Sequence, residues 1–207
     1  MGSRRSGSMG RSMQLDFSGC DFHPVVHIPA KPVILDLTGT AELSSQSDAI
    51  WSIGRYDEKR VGYDTELFSD GRCIHVGLDI GGPVGTEVMA FADGKIYAAG
   101  YNSAAGDYGH VIVTEHRLNS QKIWALHGHL DARSSENAIL DGRIRGGEVL
   151  GRFGDESENG GWPPHLHFQL SIQQPEGHDM PGVVLELERK SSLQIYPDPR
   201  IVLGPLY

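Results

Sequence analysis

The sequence predicts an all-β domain built from antiparallel sheets. Three observations predict it. Short runs rich in Val, Ile, Tyr and Phe recur along the chain. Turn signals such as Ala92-Asp93-Gly94 separate them. Glycine is abundant, 27 of 207 residues, while long stretches of helical periodicity are missing.

Taken in order, residues 1–19 read as a flexible leader. They are rich in Ser, Gly and Arg, and the Met-Gly-Ser start suggests a disordered tail or an expression scar. No apolar stretch follows the arginines, so the pattern is not that of a secretory signal. Residues 20–71 read as an N-terminal extension packing on a core. It holds short β-like pieces such as Val33–Leu37, broken by Pro24, Pro29 and Pro32. From Cys73 onward strands are predicted at Val88–Phe91, Lys95–Ala98, His110–Glu115, Lys122–His127, Glu148–Phe153 and Leu166–Ile172. Only residues 131–141 look helical. The proline-rich segment 173–207 is predicted to wrap the domain as extended chain, with one strand near Val183–Leu187.

The formal charge is −9, and residues 1–13 carry Arg4, Arg5 and Arg11 without an acid. Setting aside those three positive charges leaves −12 on the remainder. A body this acidic is a poor partner for phosphate backbones or anionic surfaces, so neither nucleic acid nor membrane is expected as a partner. Two cysteines cannot make a disulfide framework, and no apolar run approaches the ~18 residues of a membrane span. The chain as written reads as a cytoplasmic monomer, or as extracellular if its N-terminus is not native.

Ten histidines invite a metal reading. His23 and His27 flank Pro24 and β-branched Val25-Val26. Extended chain would hold them ~13 Å apart, too far for one ion with ~2 Å bonds. His-x-x-x-Asp occurs twice, at His75/Asp79 and His127/Asp131. In the first copy Gly77 offers a backbone pivot that could swing both side chains inward. The second runs into the weakly helical stretch. His165-Leu166-His167 and His127-Gly128-His129 each place two imidazoles at i and i+2, on one face of a strand. Leu166, Phe168 and Leu170 form the apolar face of the 165–171 strand, leaving His165, His167 and Gln169 on the other. Cys73 shares a strand face with His75 and reads as a small buried apolar residue.

The ordered set His75-x-Gly-x-Asp79, Leu126-His127-Gly128-His129-Leu130, Gly147-Glu148-Val149-Leu150-Gly151 and Pro164-His165-Leu166-His167-Phe168 resembles the M23 (lysostaphin/LytM-like) metallopeptidases over about residues 72–172. The resemblance implies a β-scaffold with an open groove over a zinc ion. It makes His75, Asp79 and His167 the zinc ligands and His129 and His165 the catalytic histidines. It implies a zinc-dependent endopeptidase acting on peptides, with short cell-wall peptides, often glycyl, as the usual substrates.

Three features depart from the pattern. His127 stands where many members have tyrosine, and strand geometry would set it beside His129. The loop before His165 reads Asn159-Gly160-Gly161-Trp162-Pro163-Pro164, which nominates Trp162 as a substrate-binding wall or, alternatively, as a residue folded onto the C-terminal segment. A secretion signal is missing. The Gly-Gly-Trp-Pro-Pro-His-Leu-His string and Tyr196-Pro197-Asp198-Pro199-Arg200 also resemble a branch in which such a domain lies between phosphotransferase-like and aminotransferase-like domains. Two further readings stand beside the endopeptidase: a zinc-bound peptide-binding module without turnover, and a hydrolase of a small cytosolic amide.

Overall fold

A computed structural model of the protein describes residues 15–39, 50–63 and 66–207. The leader prediction over residues 1–14 lies outside them. Within the described part of that stretch, Phe17 packs against the main core, and the Asn119 side chain donates to the carbonyls of Asp16 and Ser18, both at 3.1 Å.

Alternating β-formers produce strands β1 (Val33–Ile34), β2 (Ser52–Gly54), β3 (Glu58–Lys59), β4 (Ile74–His75), β5 (Leu78–Gly81), β6 (Glu87–Met89), β7 (Gly94–Asn102), β8 (Gly109–Leu118), β9 (Gln121–Leu130), β10 (Arg143–Ile144), β11 (Val149–Arg152), β12 (His165–Ser171) and β13 (Val183–Val184). Eight of them form one sheet in the order β1-β2-β5-β12-β9-β8-β7-β10, antiparallel except for the β1–β2 pair. β6 pairs with β11, and a third sheet runs β13-β4-β3. Every strand expected from Val88 to Ile172 has its counterpart here.

The larger buried apolar cluster lies on one face of the large sheet. Leu78 and Ile80 from β5, Ile123 and Ala125 from β9, and Leu166, Phe168 and Leu170 from β12 bury their side chains with Val88, Phe91, Val25 and Val26. Burying a side chain of this size is worth about 1.5–3 kcal/mol. The opposite face of β12 carries His165, His167 and Gln169, as period-two alternation requires.

The C-terminal segment departs from the extended-chain expectation. After β13 it forms a 3-10 turn (Glu186–Glu188) and two helices, α2 (Arg189–Ile195) and α3 (Arg200–Leu203); α1 is Ala132–Glu136. The prolines read as breakers act as a starter here: Pro199, with φ −61°, caps α3, and Gly204, at φ 78°, ends it.

His127 does not sit beside His129 as expected: it follows Ile123 and Ala125 onto the core face, as alternation along β9 requires. It pairs in register with Phe168, its ring lies 5.4 Å from that phenyl, and it is fully buried on the core face. Its Nδ1 donates to the Ile112 carbonyl at 3.2 Å, and its Nε2 meets no polar partner among the described residues. Burial lowers its pKa to about 3. The unfolded chain therefore binds a proton that the folded one refuses, so stability present above the ordinary histidine pKa of ~6.5 is lost as pH falls towards ~3. Replacing His127 by Leu removes this dependence. Relative to wild type, His127→Leu should gain up to about 1.4 kcal/mol per pH unit between pH 6 and 4 in urea unfolding. Parallel curves for the two proteins over that range would show that His127 titrates normally.

Candidate metal centre

His75 and Asp79 are four residues apart but lie on different sheets. His75 pairs with Glu58 and Val183 in the three-stranded sheet, and Asp79 pairs with Gly54 and His167 in the large one. The chain passes from one sheet to the other at Val76-Gly77, which brings His75 Nε2 to 3.3 Å from Asp79 Oδ1. Gly77 is not a left-handed pivot, because its φ is not positive. Its glycine serves the close approach of His167: a Cβ at residue 77 would stand 2.4 Å from that ring.

His167 enters from β12, with Nδ1 3.1 Å from Asp79 Oδ1 and 3.1 Å from His75 Nε2. The outer nitrogens fix the tautomers. His75 Nδ1 faces the Arg55 carbonyl at 2.9 Å, and His167 Nε2 faces Gln169 Oε1 at 3.0 Å. Both partners only accept, so those nitrogens carry the hydrogens. Three lone-pair atoms then converge, with edges of 3.1, 3.1 and 3.3 Å. A tetrahedral ion with ~2.0 Å bonds sets its ligands ~3.3 Å apart, so the donor set fits such an ion. Among the described residues, His75, Asp79 and His167 are the cluster of this kind. His23 and His27 are exposed, and Cys73 packs beside Ile74, Val76 and Val184.

Electrostatics favour the ligand forms. Burial, then the Arg60 charge, lowers the His75 pKa to about 4. Burial alone would raise Asp79, but His75 and Arg60 hold its carboxyl well below the usual range.

His129 and His165 flank the cluster, with ring centroids 4.1 Å apart. His129 does not share a face with His127. Its φ is 65°, and the β8–β9 register slips between His110 and Ile112, a bulge that turns its ring off the core face. His129 Nδ1 donates to the Asn159 carbonyl at 2.8 Å, and His165 Nδ1 to the Pro163 carbonyl at 2.7 Å. Each therefore keeps its Nε2 lone pair free, and His165 Nε2 lies 4.0 Å from Asp79 Oδ1. Burial lowers the pKa of both.

The groove around these residues has a volume of about 830 Å³. Half-buried Trp162 lines it and meets Tyr63 edge-on, with centroids 6.4 Å apart. Buried Asn159 organises that loop: its Oδ1 accepts from the backbone of Gly161 and Trp162 at 3.2 and 3.0 Å. The Asn-Gly-Gly string could have signalled such a turn. Tyr108, against the rings of His129 and His167, and Arg60, bound to Asp79, carry no sequence motif that would have found them. Asp131 of the second His-x-x-x-Asp instead caps α1, accepting from Ser134 N at 2.8 Å.

An exposed β-sheet groove over a His/Asp/His cluster, flanked by two neutral imidazoles, defines a metal-dependent hydrolytic type of site. Residues 73–179, more than half of the chain, match peptidase family M23, and the protein belongs to that family. It is similar to the DD-carboxypeptidase/endopeptidase Mpg of Neisseria meningitidis, 36% identical over 99 residues, covering 48% of this chain and 20% of that protein. It is also similar to the glycyl-glycine endopeptidase ALE-1 of Staphylococcus capitis, 34% identical over 125 residues, covering 60% of this chain and 32% of that protein. The chain thus spans about a fifth to a third of the length of these relatives. The catalytic domain of lysostaphin from Staphylococcus simulans shares the fold, with a TM-score of 0.52 at 22% identity, over 75% of this chain and 93% of that one. No helix among the described residues is long and apolar enough to cross a membrane.

Each of His75→Ala, Asp79→Ala and His167→Ala should remove most of the bound metal, measured by elemental analysis after gel filtration. His127→Ala and Asp131→Ala should keep it, the latter at a stability cost of about 1 kcal/mol for the lost cap. Metal lost from His127→Ala but retained by His75→Ala would assign the ion to the other His-x-x-x-Asp pair.

Proposed function

We propose that the protein is a zinc-dependent endopeptidase that hydrolyses amide bonds in peptides. The observation that carries this reading is the triangle of lone pairs on His75, Asp79 and His167, beside two imidazoles whose Nε2 atoms are free. Imidazole and carboxylate donors suit zinc, and three protein ligands leave a position open for catalysis. A zinc ion held there supplies Lewis acidity and a water that is nucleophilic near neutral pH.

The chain's own residues do the rest. His129 and His165, each anchored through Nδ1 to a backbone carbonyl, present Nε2 as a base towards the groove. One takes the proton of the attacking water, and it returns to the leaving amine nitrogen. Imidazolium formed on either ring stabilises the oxyanion developing on the carbonyl. Tyr108 and the Asn159 carbonyl keep the His129 ring in place, and the Pro163 carbonyl keeps that of His165. Trp162, on a loop stiffened by Pro163 and Pro164, forms one wall of the substrate groove.

The relatives named for DD-carboxypeptidase/endopeptidase and glycyl-glycine endopeptidase activity support a short peptide of cell-wall type as the substrate. The formal charge of −9 favours a neutral or cationic stretch of it.

An activity screen on oligoglycine, muropeptides and small amides tests the proposal. His129→Ala and His165→Ala should retain metal while turnover falls about 100-fold or more. A wild-type protein that binds zinc and peptide yet hydrolyses nothing would refute the enzymatic reading. Trp162→Ala should raise KM with a smaller change in kcat, the mark of lost ground-state binding. A lower melting temperature at constant KM would make Trp162 structural.

A further inference from the structure

Two of the three residues of the metal cluster are held on their outer side by a stretch the family match does not include. Asp79 directs Oδ1 at the two histidines. Its Oδ2 accepts a 2.7 Å bond from Arg60 Nη1. Arg60 is 9% exposed, and its guanidinium is held from three further sides: Nε donates to Glu58 Oε2 at 3.2 Å, Nη1 to the Tyr63 hydroxyl at 3.3 Å and Nη2 to the Arg55 carbonyl at 3.4 Å. Glu58 in turn accepts from Arg55 Nε at 2.8 Å.

Two more contacts belong to the same device. Gly54 sits opposite Asp79 in the β2–β5 register, and a Cβ there would stand 2.7 Å from Arg60 Nη2 and 2.9 Å from Asp79 Oδ2. Only glycine leaves room for the pair. The Arg55 carbonyl also takes the Nδ1 hydrogen of His75. Residues 54–60 therefore fix two of the three cluster residues from outside the 73–179 segment.

We infer that Arg60 is a positioning residue that fixes Asp79 as a one-oxygen metal ligand, so that residues 54–60 are an integral part of the metal centre. This rests on reading His75, Asp79 and His167 as the metal site. A carboxylate with both oxygens free can rotate or bind through both. With Oδ2 tied in a charge-assisted bond, Oδ1 alone faces the ion, and the open fourth position is preserved.

Removing the guanidinium has two opposed effects on metal affinity. It deletes a repelling positive charge, which tightens binding, and it frees the carboxylate, which loosens it. Glu58, 3.2 Å from the guanidinium, already offsets that charge, so orientation decides the sign. The expected loss is about 10- to 100-fold, the usual scale for residues that orient ligands.

The test uses the full chain in five forms: wild type, Arg60→Met, the charge-matched pair Glu58→Gln/Arg60→Met, Arg60→Lys, and Gly54→Ala, which alters no charge. Zinc affinity is read by chelator competition, and coordination by the visible spectrum of the cobalt(II)-loaded protein. Wild type should give the intense absorption of a four-coordinate site. Arg60→Met, the double variant and Gly54→Ala should each give a markedly weaker band and a zinc affinity about 10-fold or more lower. Arg60→Lys keeps the buried charge without the fork and should fall between. A merely structural role would lower melting temperatures and leave the cobalt band unchanged. Wild-type spectra and affinity in Gly54→Ala and the double variant would overturn the inference while leaving the metal site intact. A wild-type protein that binds neither zinc nor cobalt would overturn the metal reading, and this inference with it.

Discussion

Three lone pairs that face one another within about 3.3 Å are the constraint on which the rest of the site depends. Buried acceptors without a donor between them repel, and such a cluster persists only if its members have nowhere else to turn. Each one is held from behind. The Arg55 carbonyl takes the outer hydrogen of His75, Gln169 takes that of His167, and Arg60 occupies the outer oxygen of Asp79. Gln169 is held too, because its amide donates to the Pro181 carbonyl at 3.3 Å. On the proposed metal reading a cation satisfies the inner atoms, and the outer contacts decide which atom each residue offers to it.

Regular strand geometry cannot build such a cluster, so the fold breaks its own periodicity twice. A single strand through His75 and Asp79 would set them ~13 Å apart. Placing them on two sheets, with the chain crossing at Val76-Gly77, removes that distance. The second break is at His129, where a bulge and a left-handed residue reverse the face that alternation would assign. A non-glycine residue at positive φ stores strain, and such strain collects where a side chain must be aimed.

These breaks also mark what was legible in the sequence. Phe168, between Leu166 and Leu170, identifies the buried face of β12 and hence the face of His167, because that strand is regular. The His-x-x-x-Asp motif and Gly77 point to a bend, but its cause lies in the His167 ring, 92 residues from His75 along the chain. No local pattern carries that distance. His127 and His129 look equivalent at i and i+2 and are not, since the bulge follows from pairing with β8 and not from residues 127–129 alone. Arg60 was illegible for the same reason: an arginine in a charged run is usually solvated, and only the fold buries this one against Asp79. Helix α3 was hidden because a proline breaks a helix interior but is tolerated at its start, where Pro199 stands.

Burial ties the two groups of histidines together. It lowers His75, His129 and His165 alike, so all three are neutral near pH 7, the state that both a metal ligand and a proton acceptor require. The same burial penalises the Asp79 carboxylate, and a lone buried anion would take up a proton and cease to be a ligand. Arg60 prevents this within the chain itself, and Glu58 with Arg55 completes a network of paired charges around it. These charge pairs reach beyond the family-matched segment, to Arg55, Glu58 and Arg60.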